Sequence, residues 1–548
     1  MRFKFFIFIG VVFSLFLALL ANLYQLQIRK GYLYAARAES QVRLAGFLEP
    51  KRGAIFFTDR HNNKIPVALN KDFPVVFAVP RQVTDVPRVV DFLSNLFSED
   101  KDVISKHFVR SDDPYELIAT KVSDSHVEAV READLAGVFV DSQSFRFYPF
   151  SELAAHFLGF VGPSSEDNEL RGRYGVESYY DDELRGSSGE IKGAKIVEPV
   201  DGSDIAFTID RDIQAQAEDI LSKTIEKTKA TGGTVIVEEP FTGKILALAN
   251  RPTFDPNNYA KSPISYFLNP AVQSIYEPGS VMKVMTMSGA IESGSVAANT
   301  TYTDTGSLVV GPDKITNAEN AVYGKVTMTE VIEHSINTGA AFAMKAMGSD
   351  TFLSFLKKFG LNEKTGISLP GEVSTNLKTL YKNAPELNFV TASFGQGIAV
   401  TPISLISAVS AIANDGVLMK PFIRVDEKPT VVRKVISKKT ADTVTDMMAS
   451  AVYKAKIAQV PGYTVAGKTG TAQIPNFSTG GYTKEFIHTF VGFAPASDPK
   501  FIILFKVDKP QVGALAGLTV VPAFRELAEF ILSYYAIPPD ALNNLGTQ

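Results

Sequence analysis

Three short groups of residues could carry out covalent chemistry together: Ser280-Val281-Met282-Lys283, Ser335-Ile336-Asn337 and Lys468-Thr469-Gly470-Thr471. The first supplies a nucleophile and a base. Pro278-Gly279 is a turn signal, and the run Val281, Met282, Val284, Met285, Met287, Ala290 and Ile291 predicts a largely buried helix closed by Gly294. Ser280 then lies in the first turn, and Lys283, three residues on, shares its face and reaches toward the serine hydroxyl. Positive potential at the helix N-terminus favours a developing alkoxide, and together with partial burial it depresses the lysine pKa. A neutral lysine amine is then a general base for a serine that is otherwise a poor nucleophile.

Ser-x-x-Lys alone is common by chance and reads as a helix cap followed by a solvated lysine. The Ser335 and Lys468 groups shift that balance, the first on a stretch that predicts helix (Thr327 to Met347) and the second on one that predicts strand (Tyr463 to Ile474). Composition narrows the chemistry further. With no cysteine in 548 residues, disulfides, thiol catalysis and thiolate metal sites are excluded. The six histidines are scattered with no pair at ligand spacing, so no metal or other cofactor is expected. His334 adjoins Ser335 but reads as a packing residue. A net charge of −4 and the lack of a long basic run argue against nucleic-acid binding.

Several elements must position these groups. Residues 5–28 are uncharged and mostly apolar, long enough to cross a hydrocarbon core of about 30 Å, and predict one transmembrane anchor after a cytoplasmic tail at 1–4. Ala18-Leu19-Leu20-Ala21 lacks small residues at both positions a signal-peptide cleavage site requires, which favours a retained anchor. Residues 29–200 read as a mixed pedestal: short strands such as Pro74 to Val79, helices near Val89 to Leu96 and His126 to Leu135, and turn-side charges with no catalytic look. A boundary near Glu198 to Ser203 opens a second domain, 201–538, with a helix from about Asp212 to Lys229 and an antiparallel hairpin, Gly233 to Glu238 with Lys244 to Ala249. Further strands return only at Tyr463 to Ile474, Phe486 to Phe493 and Phe501 to Val507, before a final helix from about Pro522 to Tyr535 and a loose tail at 539–548. Strands flanking an inserted helical block make an α+β fold.

In order and spacing the three groups resemble the motif set of penicillin-recognising serine enzymes. Over nearly its whole length the chain resembles a class B penicillin-binding protein, a membrane-anchored peptidoglycan transpeptidase. The resemblance rests also on Arg52-Gly53 with Asp59-Arg60, Gly175-Val176-Glu177, Thr208-Ile209-Asp210, Phe394-Gly395-Gln396-Gly397 and Phe490-Val491-Gly492-Phe493-Ala494-Pro495. Glu277-Pro278-Gly279-Ser280 resembles the septal type. The resemblance implies that Ser280 attacks the carbonyl between the two terminal D-alanines of a stem peptide while Lys283 takes its proton. It implies that Ser335 relays that proton to the leaving D-alanine, that Asn337 bonds the peptide or holds Lys283, and that Lys468 adds positive potential. Thr469 and Thr471 would bond the substrate carboxylate, Gly470 would leave room beside the strand, and the backbone N–H groups of Ser280 and Thr471 would form the oxyanion hole. It further implies acylation of Ser280 by beta-lactams, an extracytoplasmic catalytic domain, and a multi-span glycosyltransferase and other division proteins as partners. One departure from the family pattern is Asn63 where glycine is usual, in a turn that demands a left-handed residue.

Two competing readings follow from the same letters. Gly462 to Thr469 fits the nucleotide-binding pattern Gly-x-x-x-x-Gly-Lys-Thr, but that loop requires a helix beginning at the lysine, and Tyr463, Thr464 and Val465 favour strand. A beta-lactamase or beta-lactam sensor of the same fold would need a water-activating glutamate, and Glu386-Leu387-Asn388 has the wrong spacing for one.

Overall fold

The computed structural model describes residues 50–541 apart from 111–114, 165–168, 193–194 and 477, together with Phe16 and Leu19. The anchor expected over 5–28 lies outside the described residues except for those two, and so does most of the tail at 539–548. No described helix is long and apolar enough to cross a membrane. By packing the chain divides into two units, Met1–Gly53 with Leu69–Phe147 and Arg185–Ser203, and Ala54–Ala68 with Tyr148–Leu184 and Asp204–Gln548.

The first unit is built on the later part of the strand Lys64–Ala78, whose Val75, Val76 and Phe77 suit a pleated, half-buried surface. It pairs antiparallel with Val138–Phe147, from Leu69 opposite Phe147 to Ala78 opposite Val138, and with Glu116–Ala119. The helix Val86–Phe97 starts where Asp85 accepts the Arg88 N–H and ends at Ser98 in the left-handed conformation. Its Val89, Val90 and Leu93 join Val76, Val127, Val130 and Val138 in a small core. One of the turn-side charges has structural work: Arg146 donates from Nη1 to the Gly53 carbonyl at 2.8 Å.

The second unit holds a five-stranded antiparallel sheet. Its strands are β1 (Gly232–Glu239), β2 (Lys244–Arg251), β3 (Ala466–Pro475), β4 (Tyr482–Ala494) and β5 (Phe501–Asp508), in spatial order β2-β1-β5-β4-β3. The β1–β2 hairpin matches the expectation, its turn closed by Gly243 at φ +81°. Helices α1 (Arg211–Thr228) and α7 (Ala516–Tyr534) cover one face, where Val235, Val237, Phe490, Ile503 and Phe505 are buried. The other face, with Ile236, Val491, Phe493, Ile502 and Leu504, belongs to a core shared with α2 (Met282–Glu292), α3 (Met328–Glu333), α4 (Asn337–Met347), α5 (Pro402–Ala413) and α6 (Lys438–Ala455). Cover on both faces explains why β5 reads as an unbroken apolar run rather than an alternating one.

Three local expectations change. The helix expected from Pro522 begins six residues earlier, at Ala516, and Pro522 sits inside it. Proline removes one backbone bond and costs about 3 kcal/mol in a helix interior, but Ala516, Val520, Val521 and Phe524 are buried on one side throughout, and that burial carries the helix through. The single helix expected over Thr327 to Met347 is two, broken at Ser335. In the turn of strand Ile55–Thr58 into Lys64–Ala78, the left-handed residue is Asn62 (φ +61°), not Asn63. Asn63 instead bonds Asp59 through both its backbone N–H (2.9 Å) and its side-chain amide (2.8 Å).

Candidate active site

Ser280 follows a turn held at every residue. Tyr276 exchanges backbone hydrogen bonds with Val400 (3.0 and 2.9 Å), and the Gly279 N–H donates to the Gly395 carbonyl at 3.1 Å. The Pro278 carbonyl abuts Gly470, where a Cβ would come within 2.6 Å of it, so glycine is required at that strand position. Likewise a Cβ on Gly395 would meet the Gly279 carbonyl at 2.0 Å. This close approach gives a physical reason for the Phe394–Gly397 motif, which sequence reasoning could name only as a resemblance. Gly279–Val281 is a short 3₁₀ turn leading into α2, and Ser280 is partly exposed at its centre.

Lys283 is buried; its Nζ donates to the Ser335 carbonyl at 2.5 Å and to Asn337 Oδ1 at 2.7 Å, and lies 3.2 Å from Ser335 Oγ. Its hydrogen bonds thus run to the second motif and not to Ser280, the partner that helical spacing suggested. Lys468, also buried, donates to Ser335 Oγ at 2.9 Å. Ser335 therefore sits between the two amines. It does so because α3 ends in a Schellman turn: the Ser335 N–H bonds the Ile332 carbonyl (3.3 Å) and the Ile336 N–H bonds the Val331 carbonyl (3.0 Å). That turn needs a left-handed residue, and Ser335 takes φ +55° without being glycine, a strain of about 1–2 kcal/mol that the surrounding bonds hold in place. Behind it, the Asn337 amide donates to the Thr316 carbonyl at 2.9 Å, which leaves its Oδ1 aimed at Lys283. Thr338 Oγ1 donates to Asp304 at 2.6 Å, anchoring the start of α4.

The electrostatics are unusual. Burial pulls the Lys283 pKa well below the ordinary lysine range, with the neighbouring Lys468 charge adding to the effect. Burial alone brings Lys468 down to about 7. Neither amine makes an ion pair with a carboxylate among the described residues. A neutral amine has two N–H groups and one lone pair; with the two N–H groups of Lys283 directed to the carbonyl and amide oxygens, the lone pair is left to accept a hydroxyl proton. A charged Lys468 donating to Ser335 Oγ orients that hydroxyl's own proton toward Lys283. The cluster can thus take a proton from one oxygen and return it to another.

The strand residues are placed as follows. Lys468 reaches Ser335, and Gly470 lies against the Pro278 carbonyl and the Val281 side chain. Thr471 Oγ1 accepts the Ala516 N–H at 3.3 Å and keeps its own proton free to donate. Thr469 is partly exposed, with Oγ1 3.4 Å from Lys468 Nζ. Because Lys468 stands in the third position of β3, and no helix begins there, the nucleotide-loop reading fails. Glu386 is exposed and paired with Lys345 at 3.0 Å, so it is not poised to activate water. His334 stacks on Tyr323, with ring centroids 5.1 Å apart.

The penicillin-binding protein transpeptidase domain matches residues 233–529, and the penicillin-binding protein dimerisation domain matches 47–198. The chain belongs to the penicillin-binding protein transpeptidase family. Stage V sporulation protein D of Bacillus subtilis is 33% identical over 531 residues, covering 90% of this chain and 80% of that protein. Peptidoglycan D,D-transpeptidase FtsI of Escherichia coli is 28% identical over 515 residues, 90% of this chain and 85% of the relative. Penicillin binding protein 3 of Mycobacterium tuberculosis, solved with aztreonam, superposes with a TM-score of 0.70 at 26% identity, covering 90% of this chain and 98% of that one.

Within this family frame, two features of the site escaped sequence reasoning. One is the break at Ser335, for which no glycine gave warning. The other is the carboxylate of Glu277, quoted only as part of a motif, which turns out to be buried and doubly bonded.

Proposed function

We propose that the chain is a peptidoglycan D,D-transpeptidase that crosslinks stem peptides through an acyl-enzyme on Ser280. The observation that carries the reading is the sharing of one hydroxyl, Ser335 Oγ, by two buried amines at 2.9 and 3.2 Å, one of them on the helix that Ser280 opens. Lys283 takes the Ser280 proton as the oxygen attacks the carbonyl between the terminal D-alanines, and the backbone N–H groups of Ser280 and Thr471 stabilise the resulting oxyanion. Ser335 passes the proton to the departing D-alanine nitrogen, with Asn337 holding Lys283 in place. Lys468 lends positive potential, Thr469 and Thr471 donate to the substrate's terminal carboxylate, and Gly470 admits the peptide against the strand. An amine of a neighbouring stem peptide then attacks the acyl carbonyl, forming the crosslink and freeing Ser280. Beta-lactams acylate the same oxygen.

The naming of relatives as FtsI and the motif Glu277-Pro278-Gly279-Ser280 support a septal role in cell division, with a multi-span glycosyltransferase among the partners. The apolar stretch 5–28 supports a single-pass anchor in the cytoplasmic membrane, with 1–4 inside, a pedestal over 29–200, and the catalytic domain at 201–538 outside, followed by a tail at 539–548. One experiment addresses the chemistry and the anchor together. A fluorescent penicillin added to a membrane fraction holding the full chain should label it covalently, and Ser280→Ala should abolish the label while the protein stays in that fraction. A labelled Ser280→Ala protein would refute the nucleophile; a chain found only in the soluble fraction would refute the anchor.

A further inference from the structure

The strand that carries Lys468 to Thr471 lies at the edge of the sheet and is bonded through its ladder only to β4. On its inner side it meets the Ser280 turn through packing, Gly470 against the Pro278 carbonyl. The Thr471 bond to Ala516 ties the strand to α7, and a further tie at the hairpin turn would hold its far end against the Ser280 turn. Glu277, three residues before the nucleophile, is placed to supply one. The residue is 8% exposed. One carboxylate oxygen accepts the Gly397 N–H at 2.9 Å, and the other accepts the Tyr482 hydroxyl at 3.1 Å.

These two donors come from different elements. Tyr482 is the first residue of β4 and stands opposite Pro475, the last residue of β3, beside the turn of the β3–β4 hairpin. Gly397 belongs to the loop whose Gly395 carbonyl accepts the Gly279 N–H. A buried carboxylate is costly unless its oxygens are bonded, so keeping both donors in place is favoured over letting either element drift. Burial raises the Glu277 pKa, while the Gly397 and Tyr482 bonds pull it back down.

We propose that Glu277 and Tyr482 form a latch that holds the β3–β4 hairpin against the Ser280 turn, making them positioning residues for the alignment of Lys468 and Thr471 with the nucleophile. This rests on the transpeptidase reading above. Neither residue touches the reacting atoms. The latch acts by fixing a separation, and small misplacements of catalytic groups cost rate more than they cost binding.

The test is the kinetics of acylation of the full chain by a fluorescent penicillin, with the rate constant separated from the half-saturating concentration. Tyr482→Phe removes one hydroxyl and nothing else, and Glu277→Gln keeps an acceptor oxygen while removing the charge. Each should lower the rate constant roughly tenfold with the half-saturating concentration and the unfolding temperature nearly unchanged. The double variant should be no slower than the worse single one, because both remove the same link. Unchanged rate constants, losses that follow the unfolding temperature, or losses that add in the double variant would overturn the latch. A failure of the unsubstituted chain to label would instead remove the transpeptidase reading, and the latch with it.

Discussion

Two buried charged clusters in the second unit are built on opposite terms. Glu218 of α1 is 6% exposed, and it is bonded by Arg251 at 3.2 Å, the Gln214 amide at 2.7 Å and the Ala154 N–H at 2.7 Å. Burial raises its pKa, and those three partners act against the shift. Lys283 and Lys468 are equally buried, but they face each other's positive charge and only neutral oxygens. The first cluster satisfies its charge and ties α1 to β2. The second leaves charge uncompensated, which lowers the Lys283 pKa well below the ordinary lysine range and favours the neutral amine that can accept a proton. A saturated buried charge serves the fold; an unsaturated one is available for chemistry.

That contrast can be broken or sharpened in three ways. The largest effect belongs to Lys283→Met, which keeps the volume and removes the amine. Acylation by penicillin should fall by about 10²–10⁴-fold, while the unfolding temperature changes little, since relief of the buried amine's desolvation offsets the loss of its bonds to the Ser335 carbonyl and Asn337 Oδ1. A fall in unfolding temperature with acylation intact would make Lys283 a structural lysine like any other.

Glu218→Ala should do the reverse. It leaves the Arg251 charge without its carboxylate and the Ala154 N–H without its acceptor, and should destabilise the protein by about 3 kcal/mol in chemical denaturation, with the acylation rate per folded molecule unchanged. Loss of rate without loss of stability would erase the distinction between the two clusters.

The smallest effect is a shape rather than a size. Lys468 loses its proton as pH rises through about 7, so acylation should decline on the alkaline side above that value as the positive potential beside Ser335 disappears. Lys468→Arg stays charged at every accessible pH and should carry that limb upward, even if its rate is lower throughout. The sign for stability is opposite. Between about 7 and the ordinary lysine value the unfolded chain binds the extra proton, so this residue makes the fold more stable as pH rises through that window. An alkaline limb unmoved by Lys468→Arg would assign it to another group.

Much of this was open to a reading of the letters. Local patterns predicted the β1–β2 hairpin, the helices α1 and α2, and the identity of the groups that cluster, because periodicity and turn residues are properties of a few neighbours. They failed where a distant contact outvoted the local signal. Pro522 reads as a helix start, yet packing of Val520, Val521 and Phe524 carries α7 across it. Nothing near Ser335 announces a left-handed residue; the Schellman turn forms there with α3 and α4 packed on either side.

By itself, then, the sequence determined which side chains could carry the chemistry, in what order they come, and that helices and strands of an α+β fold would carry them. Only the tertiary structure decided that β3 lies at the edge of the sheet, in the order β2-β1-β5-β4-β3, and that Lys468 donates to Ser335 Oγ. It also decided that the hydrogen bonds of Lys283 run to Ser335 and Asn337, and that Glu277 reaches Tyr482. The physical reason is range. Backbone propensity acts over one or two turns, whereas burial, the force that strips these lysines of water and shifts their protons, exists only once the whole core has closed around them.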